Sequence, residues 1–498
     1  MLLKMITKFA IMKKLIILLF LFFSLLNMIF SQENSVLSQG NWYKISTNQN
    51  GVYKLKYSDF INLGINVSNI EITSIRLYGN GGGMLPKLNS DFRYSDLIEN
   101  AIEVYDSNNN GIFENGDYIL FYGMSPNVWN FNENTNLFEH ELHLFSDEVN
   151  YFITIDNQSI GKRINLKQSL QSSSIIIDSY NTYAVHEKEL ENLIQSGSKW
   201  FGERFTNNNK QSFSFNISDL IQSHNINIKF SGVARSFQSS NFTIDVNSAF
   251  LANLNIPVVS SQYAKEYARE VSTTEQFLSN SSNLVIDVEF SSLDNSALAW
   301  LNYIQINARR KLRLTGNSIK FRDVANLGDL IGQYRIEDGA GLVVWDVTDP
   351  TNVNKLATST NMDDLFFKDS LNTLHEYIGF NSSSYLEPNL GGSILNQNIH
   401  NTPSNTDFVI ICHADFLSAA NRLADFHLEK DNLKSVVVTP NQIYNEFSSG
   451  MQDVSAIRDF LKFQYDKQDS ELKYVLLFGD GSFDPKNRIA NNTNYIPT

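Results

Sequence analysis

The stretch DSNNNGIFENGD places oxygen-bearing side chains at the spacing of a cation-binding loop. Gly111 stands at the sixth position, where such a loop turns sharply. A hard cation such as Ca²⁺ needs several oxygens converging from one tight turn, so we expect a calcium site of modest affinity here; the alternative is the Asn/Gly-rich tip of a hairpin. The candidate ligands are Asp106, Asn108, Asn110, the carbonyl of Ile112, Glu114 and Asp117.

Cys412 is the only cysteine, so no disulfide can form within the chain. It precedes His413 directly, which suggests a thiol nucleophile beside its base. Neighbouring residues on a strand point to opposite faces, however, so the two side chains cannot easily meet. We therefore predict that Cys412 is a buried, small apolar residue.

The stretch YVLLFGDGSFDPKN, which begins at Tyr474, joins a solid apolar run to a turn with two acids. Asp480 or Asp484 could serve a substrate or a cation at the end of this strand. The alternative is a structural turn, because the glycines permit a sharp exit and Pro485 blocks continuation of the strand.

No other motif carries chemistry. His186-Glu187 lacks the second histidine of a zinc helix, and His140 and His143 could share a face only on a helix, which their surroundings do not favour. We therefore assign no zinc and no catalytic residue.

The elements that position the Cys412 and Asp480 stretches follow from the rhythm of the sequence after Asp407. Solid apolar strands alternate with two helical patterns, which is typical of a parallel sheet covered on both faces. The strands are DFVIICH, KSVVVTP and LKYVLLFGD; the helices are DFLSAANRLADFHLEK, with Phe416, Ala420, Leu423 and His427 on one stripe and Asp415 as N-cap, and DVSAIRDFLKFQYDK.

Upstream, short alternating runs joined by polar turns predict a multidomain, β-rich chain. The fold class is therefore β-sandwich-like N-terminal domains followed by the beginning of an α/β parallel-sheet domain. The predicted boundaries are a β-rich domain over 33–166, a helical linker over 167–210, a β-sandwich-like region over 211–395, a linker over 396–406 and the parallel-sheet domain over 407–498.

The N-terminus predicts export. Lysines precede an apolar run from Leu15 to Phe30, and the small Ser31 offers a cleavage point, so residues 1–31 are interpreted as a signal peptide with a membrane anchor as the alternative. The net charge of −14 opposes nucleic-acid binding, which requires neutralising phosphates.

Several segments together resemble the gingipain-type cysteine peptidases of family C25, and more narrowly the members that serve type IX secretion as signal peptidases. The segments are NGVYKL from Asn50, IRLYGNGGGMLP from Ile75, HEKELENLIQSGSKWFGERF from His186, WLNYIQINARRKL from Trp300, NQNIH from Asn396 and the stretch from Gln442 to Asn487.

The resemblance implies a caspase-like domain whose catalytic histidine and cysteine lie on loops after later strands. It also implies protein substrates carrying C-terminal sorting domains, cleaved by hydrolysis or transferred, and outer-membrane secretion proteins as partners that hold the protein at the cell surface. No residue here matches either catalytic motif, so we expect a partial, inactive chain. The alternatives are a secreted gingipain-like endopeptidase and a noncatalytic β-sandwich docking module.

Overall fold

The computed structural model describes residues 34–262, 265–328 and 330–497. The predicted signal peptide lies outside these residues. The described chain forms two compact units, each assembled from separate segments. One unit contains residues 34–42, Pro86–Leu97 and Leu395–Gly479; the other contains Tyr43–Leu85, Ile98–Ile394 and residues 480–497.

The strands are numbered in chain order. The first group is β1 (Trp42–Thr47), β2 (Gly51–Lys56), β3 (Ile70–Glu71), β4 (Ile75–Tyr78), β5 (Glu99–Asn100), β6 (Glu103–Tyr105), β7 (Ile112–Phe113), β8 (Tyr118–Gly123), β9 (Val128–Asn132), β10 (Leu137–Glu141) and β11 (Val149–Ile155). The second group is β12 (Asn165–Lys167), β13 (Ile175–Ile177), β14 (Ser179–Glu187), β15 (Arg204–Thr206), β16 (Asn209–Asn216), β17 (Ile226–Arg235), β18 (Ser240–Val246), β19 (Ala249–Ile256), β20 (Arg269–Phe277), β21 (Asn283–Ser292) and β22 (Leu298–Lys311).

The third group of strands is β23 (Ser318–Phe321), β24 (Ile331–Ile336), β25 (Val343–Asp346), β26 (Asn354–Leu356), β27 (Ser359–Asn361), β28 (Asp364–Ser370), β29 (Tyr377–Phe380), β30 (Asn389–Ile394), β31 (Phe408–Cys412), β32 (Ser435–Val438) and β33 (Tyr474–Phe478). The α-helices are α1 (Tyr57–Leu63), α2 (Leu417–Asp431), α3 (Pro440–Phe447) and α4 (Val454–Tyr465). Single 3₁₀ turns lie at Val36–Ser38, Ile72–Ser74, Ser382–Ser384, Ile399–Asn401 and Ala414–Phe416.

The first part of the β-rich unit is built from small sheets. Its largest sheet has the order β30-β1-β11-β4-β5, so a strand near residue 390 closes the sheet begun by the first strand. A second sheet, β2-β8-β6, and the two-stranded pairs β10-β9 and β3-β7 complete this region.

The middle of the unit is a β-sandwich. One sheet has the order β14-β22-β17-β20, with β15 also pairing with β22, and the other has the order β16-β21-β18-β19. Aromatic side chains from both sheets meet in the core, where the rings of Phe230 and Phe242 lie 5.2 Å apart. The predicted β-sandwich is therefore present, although it begins at Ser179, before the predicted start of this region.

The helical linker predicted over 167–210 is wrong. Its best helical stretch instead begins with β14, all of whose nine residues pair with β22. Two apolar side chains of this segment, Leu190 and Ile194, are each 60% exposed and do not form a buried helix face. Pairing along a long central strand outweighs the weak helical preference of this segment.

Two further sheets share the aromatic core that follows the sandwich. Their orders are β12-β26-β25-β29-β23 and β13-β24-β28-β27. Tyr334 and Phe367 stack with ring centroids 4.7 Å apart, and Tyr377 lies edge-on to both. Apart from α1 and two 3₁₀ turns, the regular structure of this unit is thus β among the described residues, as the sequence predicts.

The second unit contains the parallel sheet. β31 lies between β32 and β33 and pairs with both in parallel, which confirms the predicted β-α-β-α-β pattern. Two predicted helices are present as α2 and α4. The helix α3 was not predicted, although Thr439 and Gln442 form a capping box on either side of Pro440. Asp415 is not the N-cap of α2, because the chain first makes a 3₁₀ turn that His413 caps.

The strand β33 stands at an edge of this sheet among the described residues. Tyr474, Val475 and Leu477 are 54%, 44% and 40% exposed, so an apolar surface lies open along the strand.

Candidate functional site

Cys412 closes the central strand β31 and has no solvent exposure. Its side chain packs in an apolar cluster with Phe408, Ile410 and Ala420. Burial raises the pKa of the thiol, which keeps it protonated and unreactive. His413 does not activate it, because its Nδ1 accepts a hydrogen bond from the backbone N–H of Asp415 at 3.3 Å. The prediction of a buried, structural cysteine is confirmed.

The carboxylate of Asp484 is buried and fully engaged. It accepts hydrogen bonds from the Arg488 guanidinium at 2.9 Å and from the backbone N–H of Ile489 at 2.7 Å. Asp480 is exposed, and its carboxylate accepts a hydrogen bond from the Thr493 hydroxyl at 3.3 Å while its carbonyl accepts one from Ile496 N–H at 2.9 Å. The geometry favours the structural interpretation of this turn.

Charged groups anchor the segment that carries Asp484. The Arg488 guanidinium lies 2.6 Å from a carboxylate oxygen of Glu189 and 4.5 Å from the ring centre of Trp200. Lys486 bridges the carboxylates of Glu189 and Asp147 at 3.1 and 2.9 Å. The turn after β33 is thus held in place by ion pairs whose basic members are nearly buried.

The calcium-type loop folds as a series of Asx turns between β6 and β8. Asp106 accepts the backbone N–H of Gly111 at 2.8 Å, and Gly111 adopts a φ of 79° that favours glycine. Asp117 is 2% exposed and accepts the N–H groups of Ser107 and Glu114 at 2.8 and 2.9 Å. Burial opposes ionisation of Asp117, but these hydrogen bonds outweigh it and lower its pKa.

Hydrogen bonds within the loop therefore fix the positions of its side-chain oxygens. Asn108 and Asn110 accept the N–H groups of Asn110 and Ile112, and Asn108 also donates to Glu114. Across residues 34–262, 265–328 and 330–497, the acidic and histidine groups close enough to share an ion are Asp346, Asp369 and His375, not those of this loop. Calcium binding by the predicted ligands therefore stays a prediction.

The Asp346–Asp369–His375 cluster was missed in the sequence. Lys167 lies between the two carboxylates, with its Nζ 3.1 Å from Asp346 and 2.7 Å from Asp369. Burial works against ionisation of Asp346, but His375, Thr348 and Lys167 together hold its pKa well below the ordinary value. Because Lys167 pairs with both acids and His375 contacts Asp346, this cluster is an internal ion-pair network. Its members are too far apart in sequence to form a motif.

A second missed group is the pair of His400 and Glu446, both of which have fully buried side chains. His400 contacts the Glu446 carboxylate through Nδ1 and the Ser95 carbonyl through Nε2 at 2.7 Å. Its ring stacks on Phe447 at a centroid distance of 4.7 Å. Burial alone would lower the pKa of His400, but the hydrogen bond and charge of Glu446 outweigh it and raise the pKa. Both ring nitrogens of His400 thus face hydrogen-bond acceptors, an arrangement that favours the imidazolium form.

The sequence pattern of peptidase family C25 matches residues 401–498. This segment contains the parallel sheet and its helices.

The fold is similar to that in the crystal structure of dimeric latent PorU from Porphyromonas gingivalis. The TM-score is 0.78 at 23% identity, over 93% of this chain and 44% of that chain. At this identity the likeness establishes the fold, and the chain spans less than half the length of the PorU chain it matches.

Other solved structures match weakly. They include the CBM36-1 domain of a xylanase from the hindgut metagenome of Trinervitermes trinervoides, at 11% identity over 25% of this chain and 96% of that chain, and the δ-endotoxin Cry8Ea1 from Bacillus thuringiensis, at 11% identity over 49% and 43%. Their TM-scores of 0.17 and 0.20 are too low to indicate a shared fold. No curated protein matches the chain. In the described part of the chain, no helix has the length and apolar character needed to cross a membrane.

Proposed function

We propose that these residues form the N-terminal part of a cell-surface cysteine-type signal peptidase of the type IX secretion system. Such an enzyme removes the C-terminal sorting domains of secreted proteins, by hydrolysis or by transfer to an amine. The observation that supports this most strongly is the combination of a family C25 segment at 401–498 with a PorU fold over 93% of the chain.

The proposed reaction needs a thiolate and an imidazole. In a cysteine peptidase the imidazole takes the thiol proton, the thiolate attacks the peptide carbonyl, and the amine leaves with that proton before water or another amine releases the acyl group. The single thiol of the 498 residues belongs to the buried Cys412. We therefore propose that these residues support the peptidase sheet and contact partner proteins but carry out no catalytic step.

The same proposal covers location and partners. The predicted signal peptide would export the chain, and the protein would be held at the outer membrane by a secretion-system protein. Its substrates would be proteins that carry C-terminal sorting domains. Calcium at the 106–117 loop would be a stabilising ion remote from the chemistry.

The proposal is tested with two forms of the protein, residues 34–498 and the longest natural chain that contains them, each incubated with a sorting-domain substrate. We expect cleavage by the longer form only, and the same cleavage rate after Cys412→Ser. Cleavage by residues 34–498 that Cys412→Ser abolishes would overturn the assignment. If neither form cleaves a sorting-domain substrate but the longer form cleaves unrelated proteins, the secreted endopeptidase is the correct alternative.

A further inference from the structure

Two strands from different sheets face each other across a cleft in the β-rich unit. β14 is the edge strand of the sandwich sheet, and β23 is the edge strand of a neighbouring five-stranded sheet. They are joined by one antiparallel bridge, in which the N–H of Asn181 donates to the carbonyl of Arg322 at 3.0 Å. Beyond this bridge no further pairing between the two strands occurs among the described residues.

The alternation of hydrogen bonds shows which peptide groups of β14 face the cleft. Leu312 N–H donates to the Asp178 carbonyl, so the even-numbered residues of this strand bond to the β22 side. Asn181 bonds on the opposite side, and Tyr183 and Val185 follow it at intervals of two. The peptide groups of Tyr183 and Val185 therefore point into the cleft.

The same argument holds for β23. Asn381 N–H donates to the Asn317 carbonyl, so the odd-numbered residues bond to the β29 side. Arg322 bonds on the opposite side, and Ser318 and Lys320 share that side with it. The cleft is therefore bounded by two rows of peptide groups that carry no ladder partner in the described chain.

The space between the strands suits a peptide. The cleft has a volume of about 580 Å³, within the range of protein ligand sites. Tyr183 and Trp129 lie on one wall with their rings 4.3 Å apart. Exposed edge strands are the elements to which extended peptides add.

The charge of the lining selects the kind of peptide. Three basic side chains, Arg310, Lys320 and Arg322, line the cleft with one acid, Glu376, which pairs with Arg322 at 3.2 Å. Lys320 has no ion-pair partner within the described residues; its Nζ donates to the carbonyl of Asn50 at 2.9 Å. Lys320 is exposed, so its ammonium is accessible to an incoming carboxylate.

We propose that this cleft binds an extended, acidic segment of a partner protein, which adds as a strand between β14 and β23 and places a carboxylate at Lys320. Because the two strands are antiparallel at their bridge, the inserted strand would run parallel to one and antiparallel to the other. Its backbone would pair with Tyr183 and Val185 on one side and with Ser318 and Lys320 on the other.

The test uses residues 34–498 and fluorescent, end-blocked peptides of about eight residues, which extend over about 26 Å. One peptide alternates Glu with Val, and a second alternates Lys with Val. Binding is measured by fluorescence polarisation. We expect saturable binding of the Glu peptide and at least about tenfold weaker binding of the Lys peptide, a difference of about 1.4 kcal/mol.

Two variants probe the two halves of the recognition. Lys320→Glu reverses the unpaired charge, and Val185→Pro removes a cleft-facing N–H at an edge position where proline leaves the β22 ladder intact. Each should weaken binding of the Glu peptide by at least about tenfold. Lys311→Glu, the same charge change on an exposed lysine outside the cleft, should alter it less than about twofold.

Three results would overturn the proposal. The first is the absence of saturable binding of the Glu peptide, and the second is binding that neither Lys320→Glu nor Val185→Pro weakens. The third is self-association of the wild-type protein that Val185→Pro abolishes, measured by sedimentation velocity, because the occupant would then be a second copy of this chain. Circular dichroism of each variant establishes that the β-sandwich is retained.

Discussion

The buried pair of His400 and Glu446 joins separate segments of the unit that contains the parallel sheet. Glu446 accepts the backbone N–H groups of Ile399 and His400 at 2.9 and 3.1 Å, in addition to the imidazolium. The imidazolium in turn donates to the carbonyl of Ser95, which belongs to the Pro86–Leu97 segment of the same unit. One carboxylate thus fixes two segments that are far apart in sequence.

The change Glu446→Gln preserves shape and removes the charge. Breaking a buried ion pair by removing one partner costs about 3–5 kcal/mol, because the remaining charge is left without compensation. Since each tenfold change in an equilibrium constant corresponds to about 1.4 kcal/mol, local opening should become about a hundredfold to several thousandfold more frequent. The effect should appear in the segments that the pair joins, Pro86–Leu97 and the chain around His400.

The assay is amide hydrogen exchange of residues 34–498, followed by peptide mass analysis, since one melting temperature does not describe a chain with two units. The matched control is Asp431→Asn, because His427 and Asp431 form the same kind of pair at 2.6 Å on the surface of α2. A partly exposed pair contributes about 0.3–0.5 kcal/mol, so exchange in α2 should rise only about twofold. Equal responses to the two variants would refute the reasoning.

Because the folded-state pKa of His400 is raised above 6.5, the stabilisation by its charge is present below pH 6.5 and lost as the pH rises through the folded pKa; the protection factors of amides around Ser95, which are corrected for the intrinsic rise of exchange with pH, should fall over that rise, and His400→Gln should abolish the trend. Calcium should raise the melting temperature of the β-rich unit and EDTA should lower it, and Asp117→Asn should remove the response; a calcium-independent melting curve would exclude the site. Cys412 should resist maleimide until the protein is unfolded by denaturant, and labelling of the native chain would contradict its burial. Arg488→Met should expose the segment around Asp484 to proteolysis, because a buried carboxylate loses its charged partner at a cost of about 3 kcal/mol; cleavage at the wild-type rate would show that the ion pairs are dispensable.

The pH prediction has a defined window because other groups near His400 also titrate. Burial raises the pKa of Asp96, which faces the same imidazole, and this change also removes stability as the pH rises. Burial lowers the pKa of Lys467 to about 8, and its ammonium donates to the His400 carbonyl at 2.8 Å. Loss of that proton above pH 8 adds stability as the pH rises, which opposes the loss of stability from His400. The wild-type protein and His400→Gln should therefore be compared between pH 6.5 and 8.

The parallel sheet was predictable because its signal is local. The strands are solid apolar runs, and the helices between them have an amphipathic period, so each element is specified by its own residues. Asp407, which directly precedes β31, fixes the starts of both neighbouring strands by accepting hydrogen bonds from the Lys473 ammonium at 2.7 Å and from Lys434 N–H at 3.0 Å. Local pattern and tertiary contact agree here.

The region from Ser179 to Phe205 shows the opposite case. The sequence predicts a helix here, but the residues of β14 pair with residues of β22 that lie 116 to 132 positions further along the chain, and that pairing decides the conformation. No property of the segment alone reveals such a partner. The same limit hid the Lys167–Asp369 and His400–Glu446 pairs, whose members lie 202 and 46 residues apart.

Cys412 shows why a functional motif must be judged on the element that carries it. A cysteine beside a histidine suggests a catalytic pair, yet on a strand the two side chains leave opposite faces, and the structure buries the thiol while His413 caps a turn. The cleft between β14 and β23 has no sequence motif at all. It arises because two sheets meet at Asn181 and then diverge, so its chemistry belongs to peptide groups whose availability only the fold determines.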